Sequence, residues 1–256
     1  MIVGIHAGHN PDGKVACGAV GLIRESTEAR KVKDEVIRLL KQAGHTVYDF
    51  TVENGTSQRD IVDKQISQSN AKTLDLTVAI HFNSGANDKV GNKKSTGVEV
   101  LMTSIDGIKK EVGTKICENV SKLGFKNRGN KISKKLGFLN KTKAKSILVE
   151  CCFVDDKDDV DLYNYKTMAK AIADGIHGST IKEVLSNKNL ETTKSYIVRV
   201  ICDTLNIREG AGTNYKITGK LKKGDAYTIV EEKDCWGRLK SGQGWISLNS
   251  KYVQKV

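Results

Sequence analysis

The sequence predicts an α/β domain, built as a twisted, mostly parallel sheet flanked by helices, followed by a small all-β barrel. Three observations carry this expectation. Short apolar runs alternate with segments of helical periodicity through residues 1–180. The first of these runs frame a β-α-β unit, which implies a right-handed parallel crossover. Beyond residue 195 the helical periodicity stops, and short strands are separated by the turn signals REGAGTN, KKGD and SGQG.

Taken in order, Ile2, Val3 and Ile5 between Gly4 and Gly8 predict a buried strand that stops at a permissive turn, with His9 just beyond it. A side chain there projects past the strand end, where open α/β folds place their ligands. Ser26 to Ala43 carries Ala29, Val32, Val36, Ile37, Leu39, Leu40 and Ala43 mainly at three- and four-residue intervals, an amphipathic helix ended by Gly44. His45 to Phe50 reads as the second strand. A helix from Thr56 to Lys72, a core strand from Leu74 to Phe82, a loop from Ser84 to Ser95, a strand from Gly97 to Met102 and a helix from Ile105 to Leu123 follow. Phe125 to Lys135 reads as basic and irregular, and residues 136–144 as a short connection. Ser146 to Phe153 is a further core strand, and one helix is predicted over Lys157 to His177. Residues 181–195 lack apolar periodicity and read as a linker. The expected division is therefore 1–180, 181–195 and 196–256.

The chain has 256 residues and a formal net charge of +12, which predicts attraction to a polyanion. Nucleic acid is not the expected partner, because the lysines are scattered and no nucleic-acid module appears; an anionic cell envelope is the alternative. No apolar stretch approaches the length of a membrane span, and the N-terminus enters a strand without a basic leader, so the expectation is a protein without its own Sec signal. Cys17, Cys117, Cys151, Cys152, Cys202 and Cys235 form no C-x-x-C pair and read as thiols made in a reducing compartment.

His9 after the first strand, Glu25 at the start of the first helix and His81 at the end of LDLTVAIHF are chemically the most suggestive groups. Two imidazoles and a carboxylate form a known catalytic zinc set that leaves a position for water. Glu150 lies inside the apolar run SILVECCF, where an ionised carboxylate is costly unless paired or functional. Spacing alone does not decide among these roles and ordinary structural ones. Cys151 and Cys152 invite a nucleophile reading, but buried inert thiols fit better, and period two would put Cys152 on the face of Glu150.

The stretches HAGHN (6–10), Glu25 ahead of KQAGHTV, AIHFNS (79–84) and LVECCFVDD (148–156), with Arg59 and Asn70 between them, carry a resemblance. Residues 1–178 resemble the zinc-dependent N-acetylmuramoyl-L-alanine amidases of the type called amidase 3. The resemblance implies that His9, Glu25 and His81 bind Zn2+ and that Glu150 is the catalytic acid/base. His6, Asn10, Cys152 and Asp156 depart from the usual pattern without removing a ligand or the base.

Residues 196–256, through DTLNIREGAGTNYKITGKLKKGD and CWGRLKSGQGWISLNSKYV, resemble a bacterial SH3 domain of the wall-binding kind, so the barrel is expected to be SH3-like. Trp236 and Trp245 are expected in its core, with Trp236, Tyr215 and Arg208 as weaker candidates for ligand contacts. Together the resemblances imply a peptidoglycan hydrolase of a phage endolysin type. It would be held in the host cytoplasm and reach a Gram-positive wall after membrane permeabilisation, with peptidoglycan and anionic wall polymers as partners. A bacterial autolysin or spore-lytic amidase, and a non-catalytic wall-binding protein, are the alternatives.

Overall fold

The computed structural model describes residues 1–181, 195–213, 215–233 and 235–256. It divides into two units, Met1–Glu183 and Val184–Val256. The expected linker, 181–195, lies outside the described residues except at its two ends.

The first unit runs β1 (Ile2–Ala7), α1 (Glu25–Gln42), β2 (Thr46–Asp49), α2 (Gln58–Asn70), β3 (Leu76–Asn83), β4 (Val98–Met102), α3 (Gly107–Ser121), β5 (Asn127–Ile132), α4 (Gly137–Lys141), β6 (Ser146–Phe153), α5 (Lys157–Leu162) and α6 (Tyr165–His177). Its six-stranded sheet has the order β2-β1-β3-β6-β4-β5. All neighbours pair in parallel except β4 and β6. This is the mostly parallel α/β sheet that the sequence predicts.

The sheet is buried on both faces. Val3, Ile5, Val78, Ile80, Val98, Val100, Ile147 and Val149 pack with the inner stripes of α1, α3 and α6. On the opposite face a smaller cluster joins Ala79 and Leu148 to Ile66 of α2 and to Phe138 and Leu139 of α4. Local signals set the helix ends. Gly44 takes the left-handed conformation (φ 83°) just past α1, while the Ser57 hydroxyl caps α2 by accepting from Asp60 N at 3.1 Å.

Four expectations are corrected here. Lys157–His177 is two helices, because Asn164 breaks the run and caps α6 by accepting from Lys166 N and Thr167 N. The stretch read as irregular contains β5, an edge strand whose polar residues carry no alternation signal, and the short connection contains α4. Cys152 does not share the face of Glu150. His81 pairs with Glu150 and Asn83 with Phe153, so β6 holds one extra residue between them, a bulge that breaks period two. Cys151 and Cys152 are both fully buried in the main core, where burial pushes both thiols well above their usual range.

The second unit is a seven-stranded antiparallel sheet of order β13-β7-β10-β11-β12-β8-β9. The strands are β7 (Tyr196–Val200), β8 (Thr204–Arg208), β9 (Ile217–Lys222), β10 (Ala226–Lys233), β11 (Trp236–Leu239), β12 (Trp245–Ser247) and β13 (Val253–Lys255). Its core is Val198, Val200, Leu205, Ile207, Leu221, Ile229, Leu239, Ile246 and Val253. Neither tryptophan belongs to it. Gly237 and Ile246, not Trp236 and Trp245, take the buried positions of β11 and β12, which corrects the expected core. No helix among the described residues is long and apolar enough to cross a membrane.

Candidate metal centre and active site

The C-terminal ends of β1 and β3 and the first residue of α1 meet at one rim of the sheet. His9 comes from the turn after β1, in a left-handed conformation (φ 63°) that only a few per cent of non-glycine residues adopt. Glu25 is the first residue of α1 and is buried, 4% exposed. His81 comes from β3. Glu25 Oε1 lies 3.3 Å from His9 Nε2 and 2.9 Å from His81 Nδ1, and it also accepts from Phe82 N at 3.2 Å. Glu25 Oε2 accepts from Ala19 N at 2.8 Å, which ties the loop between β1 and α1 to the site.

Two glycines make room for this arrangement. A Cβ on Gly8 would lie 2.1 Å from His81 Cε1, and one on Gly18 would lie 2.6 Å from Glu25 Oε2 and 2.8 Å from His9 Cδ2. The sequence marks both as turn residues but gives no sign of this close packing, which is tertiary. It also gives no sign of Gln58, whose Oε1 accepts from His9 Nδ1 at 2.8 Å.

That hydrogen bond decides how the site is charged. With its proton on Nδ1, a neutral His9 turns the Nε2 lone pair towards the Glu25 carboxylate, and two lone pairs cannot face each other stably. A positive charge between them removes the conflict. In the metal-free protein a second proton supplies it: burial opposes the charge, but the bond to Glu25 outweighs it and raises His9 above the usual histidine range. For Glu25, burial opposes ionisation too, while its bonds to His81 and His9 hold it below the usual carboxylate range. His9 Nε2, a Glu25 oxygen and a His81 nitrogen offer one ligand atom each within 4.8 Å of one another. Two imidazoles with a carboxylate, one ring fixed by an outer hydrogen bond, are a donor set that fits a divalent transition metal such as zinc.

Glu150 stands beside His81 in the register of β6 and β3, and Glu99 of β4 stands on its other side. Its Oε2 is buried with no hydrogen-bond partner among the described residues. Burial, reinforced by the negative charges of Glu25 and Glu99, pushes its carboxyl up to about 8. Glu99 is different. Burial works against its charge as well, but Arg128 Nε at 2.6 Å and Lys131 Nζ at 3.0 Å hold it ionised, and Asn83 Nδ2 donates to it at 3.1 Å.

The other residues singled out from the sequence lie apart from this cluster. Arg59 is on the exposed side of α2, 3.6 Å from Asp63. Asn70 joins the end of α2 to the loop after α4, donating to Lys141 O and accepting from Lys143 N. His6 is buried against Phe138, and burial lowers it to about 3, so it stays neutral. His45 Nε2 lies 2.8 Å from His177 Nδ1, far along the chain from the site.

A polar three-donor centre at the strand ends of a mostly parallel α/β sheet, with a neighbouring buried acid, is the architecture of a hydrolase. Residues 3–181 match the family described as N-acetylmuramoyl-L-alanine amidase, and the chain belongs to that family. Residues 203–254 match the bacterial SH3 domain. Among similar proteins, an uncharacterized protein of Clostridium perfringens is 30% identical over 99% of this chain and 80% of its own length. The endolysin of Bacillus phage SPP1 is 27% identical over 98% of this chain and 97% of its own. In the solved catalytic domain of an endolysin described as targeting Clostridia Difficile, 99% of that chain superposes on 71% of this one at a TM-score of 0.63 and 26% identity. The protein is a peptidoglycan amidase with a C-terminal bacterial SH3 domain.

Proposed function

We propose that the enzyme cuts the amide between the lactyl group of N-acetylmuramic acid and L-alanine, using zinc held by His9, Glu25 and His81, and that it serves as a phage endolysin. The observation that carries the chemical part is the convergence of His9 Nε2 and His81 Nδ1 on one oxygen of Glu25, with the unpartnered acid Glu150 next to His81 in the sheet register. When bound, a zinc ion there supplies a Lewis acid and a local positive charge. That charge favours the ionised form of Glu150, which burial otherwise suppresses. Glu150 then takes the proton of the attacking water and passes it to the departing amine of L-alanine. Gln58 holds the His9 ring in the tautomer that leaves Nε2 free, and Gly8 lets His81 lie flat against β1.

The endolysin role is supported by the similarity to the phage SPP1 endolysin along nearly the whole of both chains. In this reading the enzyme acts from the host cytoplasm once the membrane is permeabilised, and the SH3 domain brings it to a Gram-positive wall. A non-catalytic wall-binding role is the competing reading. The test is release of stem peptides with free L-alanine N-termini from purified Gram-positive walls. Release is expected from the native protein, lost on chelation, restored by zinc, and reduced at least ~1,000-fold in Glu150→Ala that still binds one metal ion. Wall binding without release by the zinc-loaded native protein would leave the scaffold reading standing.

A further inference from the structure

We propose that Arg128 and Lys131 of β5 bind a carboxylate of the stem peptide, at the second or third residue beyond the cut, so that the far edge of the sheet sets substrate specificity. The assignment rests on the amidase reading of the site. His81, Glu150 and Glu99 stand side by side on β3, β6 and β4. By strand alternation they share the face of Ala79, Leu148 and Leu101, which α2 and α4 cover one row further in. The edge strand β5 joins this row through an irregularity. Val98 pairs with Asn127 and Val100 with Asn130, so Arg128 and Gly129 together stand opposite Glu99, with Gly129 left-handed (φ 71°). Arg128 Nε donates to Glu99 Oε2 at 2.6 Å, and Lys131 Nζ lies 3.0 Å from the same oxygen.

Two cations therefore share one carboxylate, whose other oxygen accepts from Asn83 Nδ2 at 3.1 Å, and the group keeps a positive charge in excess. Arg128 uses only Nε on Glu99. Its Cζ lies 5.1 Å from the centre of the Phe153 ring, while Nη1 and Nη2 have no hydrogen-bond partner among the described residues. A guanidinium held at one edge by a carboxylate and packed on a ring is fixed in place. Its remaining N–H groups form the planar fork that suits a second carboxylate. Both cations can be reached from solvent, since the Arg128 side chain is 25% exposed and that of Lys131 44%, against 8% for Glu99.

The order of the strands sets which part of the substrate arrives there. In the proposed reaction the scissile carbonyl lies at the His9, Glu25 and His81 end, and the departing amine lies at Glu150. The bond therefore points from β3 towards β6, and the peptide that begins at that amine continues over β4 to β5. From β6 to β5 is two strand spacings, about 9.6 Å. An extended peptide advances about 3.3–3.6 Å per residue, so the second or third residue reaches Arg128. Between Glu118 and Glu150 the chain carries nine Lys and Arg and no Asp or Glu, so an acidic residue of the peptide enters a positive field on this side.

The test uses three soluble muramoyl tripeptides that carry a carboxylate at the second residue, at the third, or at neither, with every other carboxyl group amidated. Their affinities for the full-length, zinc-loaded Glu150→Ala protein are measured by calorimetry, and their KM and kcat with the native enzyme. One charged peptide should bind at least ~10-fold more tightly than the uncharged one, with the difference in KM more than in kcat. Arg128→Lys keeps a charge beside Glu99 but loses the fork, and should lose most of that preference; Lys131→Gln should lose part of it. Lys122→Gln with Lys166→Gln, exposed at the end of α3 and on α6, removes two charges from the other face and should leave the preference as it is. Equal affinity for the three peptides, or a preference unchanged in both the Arg128 and the Lys131 variants, would overturn the proposal. So would a purified phosphate-bearing wall polymer whose binding depends on Arg128 while the three peptides bind alike. Selective binding of a charged peptide with no cleavage by the native zinc-loaded protein would strike the amidase reading and leave the carboxylate site standing. Cleavage of all three with equal KM would do the reverse.

Discussion

Glu150 is flanked in the sheet by His81 on one side and by Glu99 on the other, and it has no cation of its own among the described residues. Its consequence for stability can be worked out. With a folded-state value of about 8 against an ordinary 4.5, the metal-free native state holds a proton that the unfolded chain releases. Stability contributed by that proton is complete below pH 4.5 and falls as the pH rises to 8. Glu150→Gln removes the ionisation, so the chelated variant should match the native protein in urea unfolding at pH 4.5 and exceed it at pH 8. The gain expected is ~2 kcal/mol, discounted for the partial solvent contact of the side chain. The reasoning that draws attention to Glu150, a carboxylate inside an apolar run, applies equally to Glu99 between Val98 and Val100. Only the neighbours Arg128 and Lys131 separate a suppressed charge from a stabilised one, and they come from a strand whose sequence does not announce itself.

At the scale of elements, the four aspartates after β6 fasten the loop between β3 and β4. Asp155 accepts from the backbone amides of Gly85, Ala86 and Asn87, Asp158 from those of Asn92 and Lys94, and Asp159 from that of Gly97. Asp156 accepts from Thr96 N while capping α5. Burial opposes the charge of Asp155, but these amides hold its carboxyl below the usual range. Its contribution is present above the ordinary carboxylate pKa and is lost as the pH falls. Asp155→Ala should cost about 1–3 kcal/mol and speed hydrogen exchange at residues 85–87 well beyond that in β3. The strands that carry β-branched apolar runs were legible from sequence because burial on both faces leaves a continuous signal. β5 and the order of the loop were not, since an edge strand and a loop held by distant carboxylates take their structure from partners far along the chain.

For the whole molecule, each unit has a core of its own, one gathered on the two faces of a mixed sheet and one inside an antiparallel sheet. In the sequence, helical periodicity gives way to short strands punctuated by glycine beyond residue 195. The placement of the tryptophans was not readable there, because size and hydrophobicity argue for a core while register decides the face. Calorimetry of the full chain should resolve two transitions. Zinc should raise only the one belonging to residues 1–181, by mass action on the unit that binds it.

The bulge in β6 bears on how this chain can vary. Phe153 stands opposite Asn83 although three steps part it from Glu150 and only two part Asn83 from His81, so the ladder is kept on both sides of one surplus residue. Deleting Cys152 should close the bulge into a plain ladder with Phe153 and the aspartates after it still on their partners, at the cost of that thiol's place in the core, whereas Cys152→Ala keeps the bulge and should be expressed and active. A lineage of such enzymes could then lose or regain a residue at this point without losing the loop beyond it.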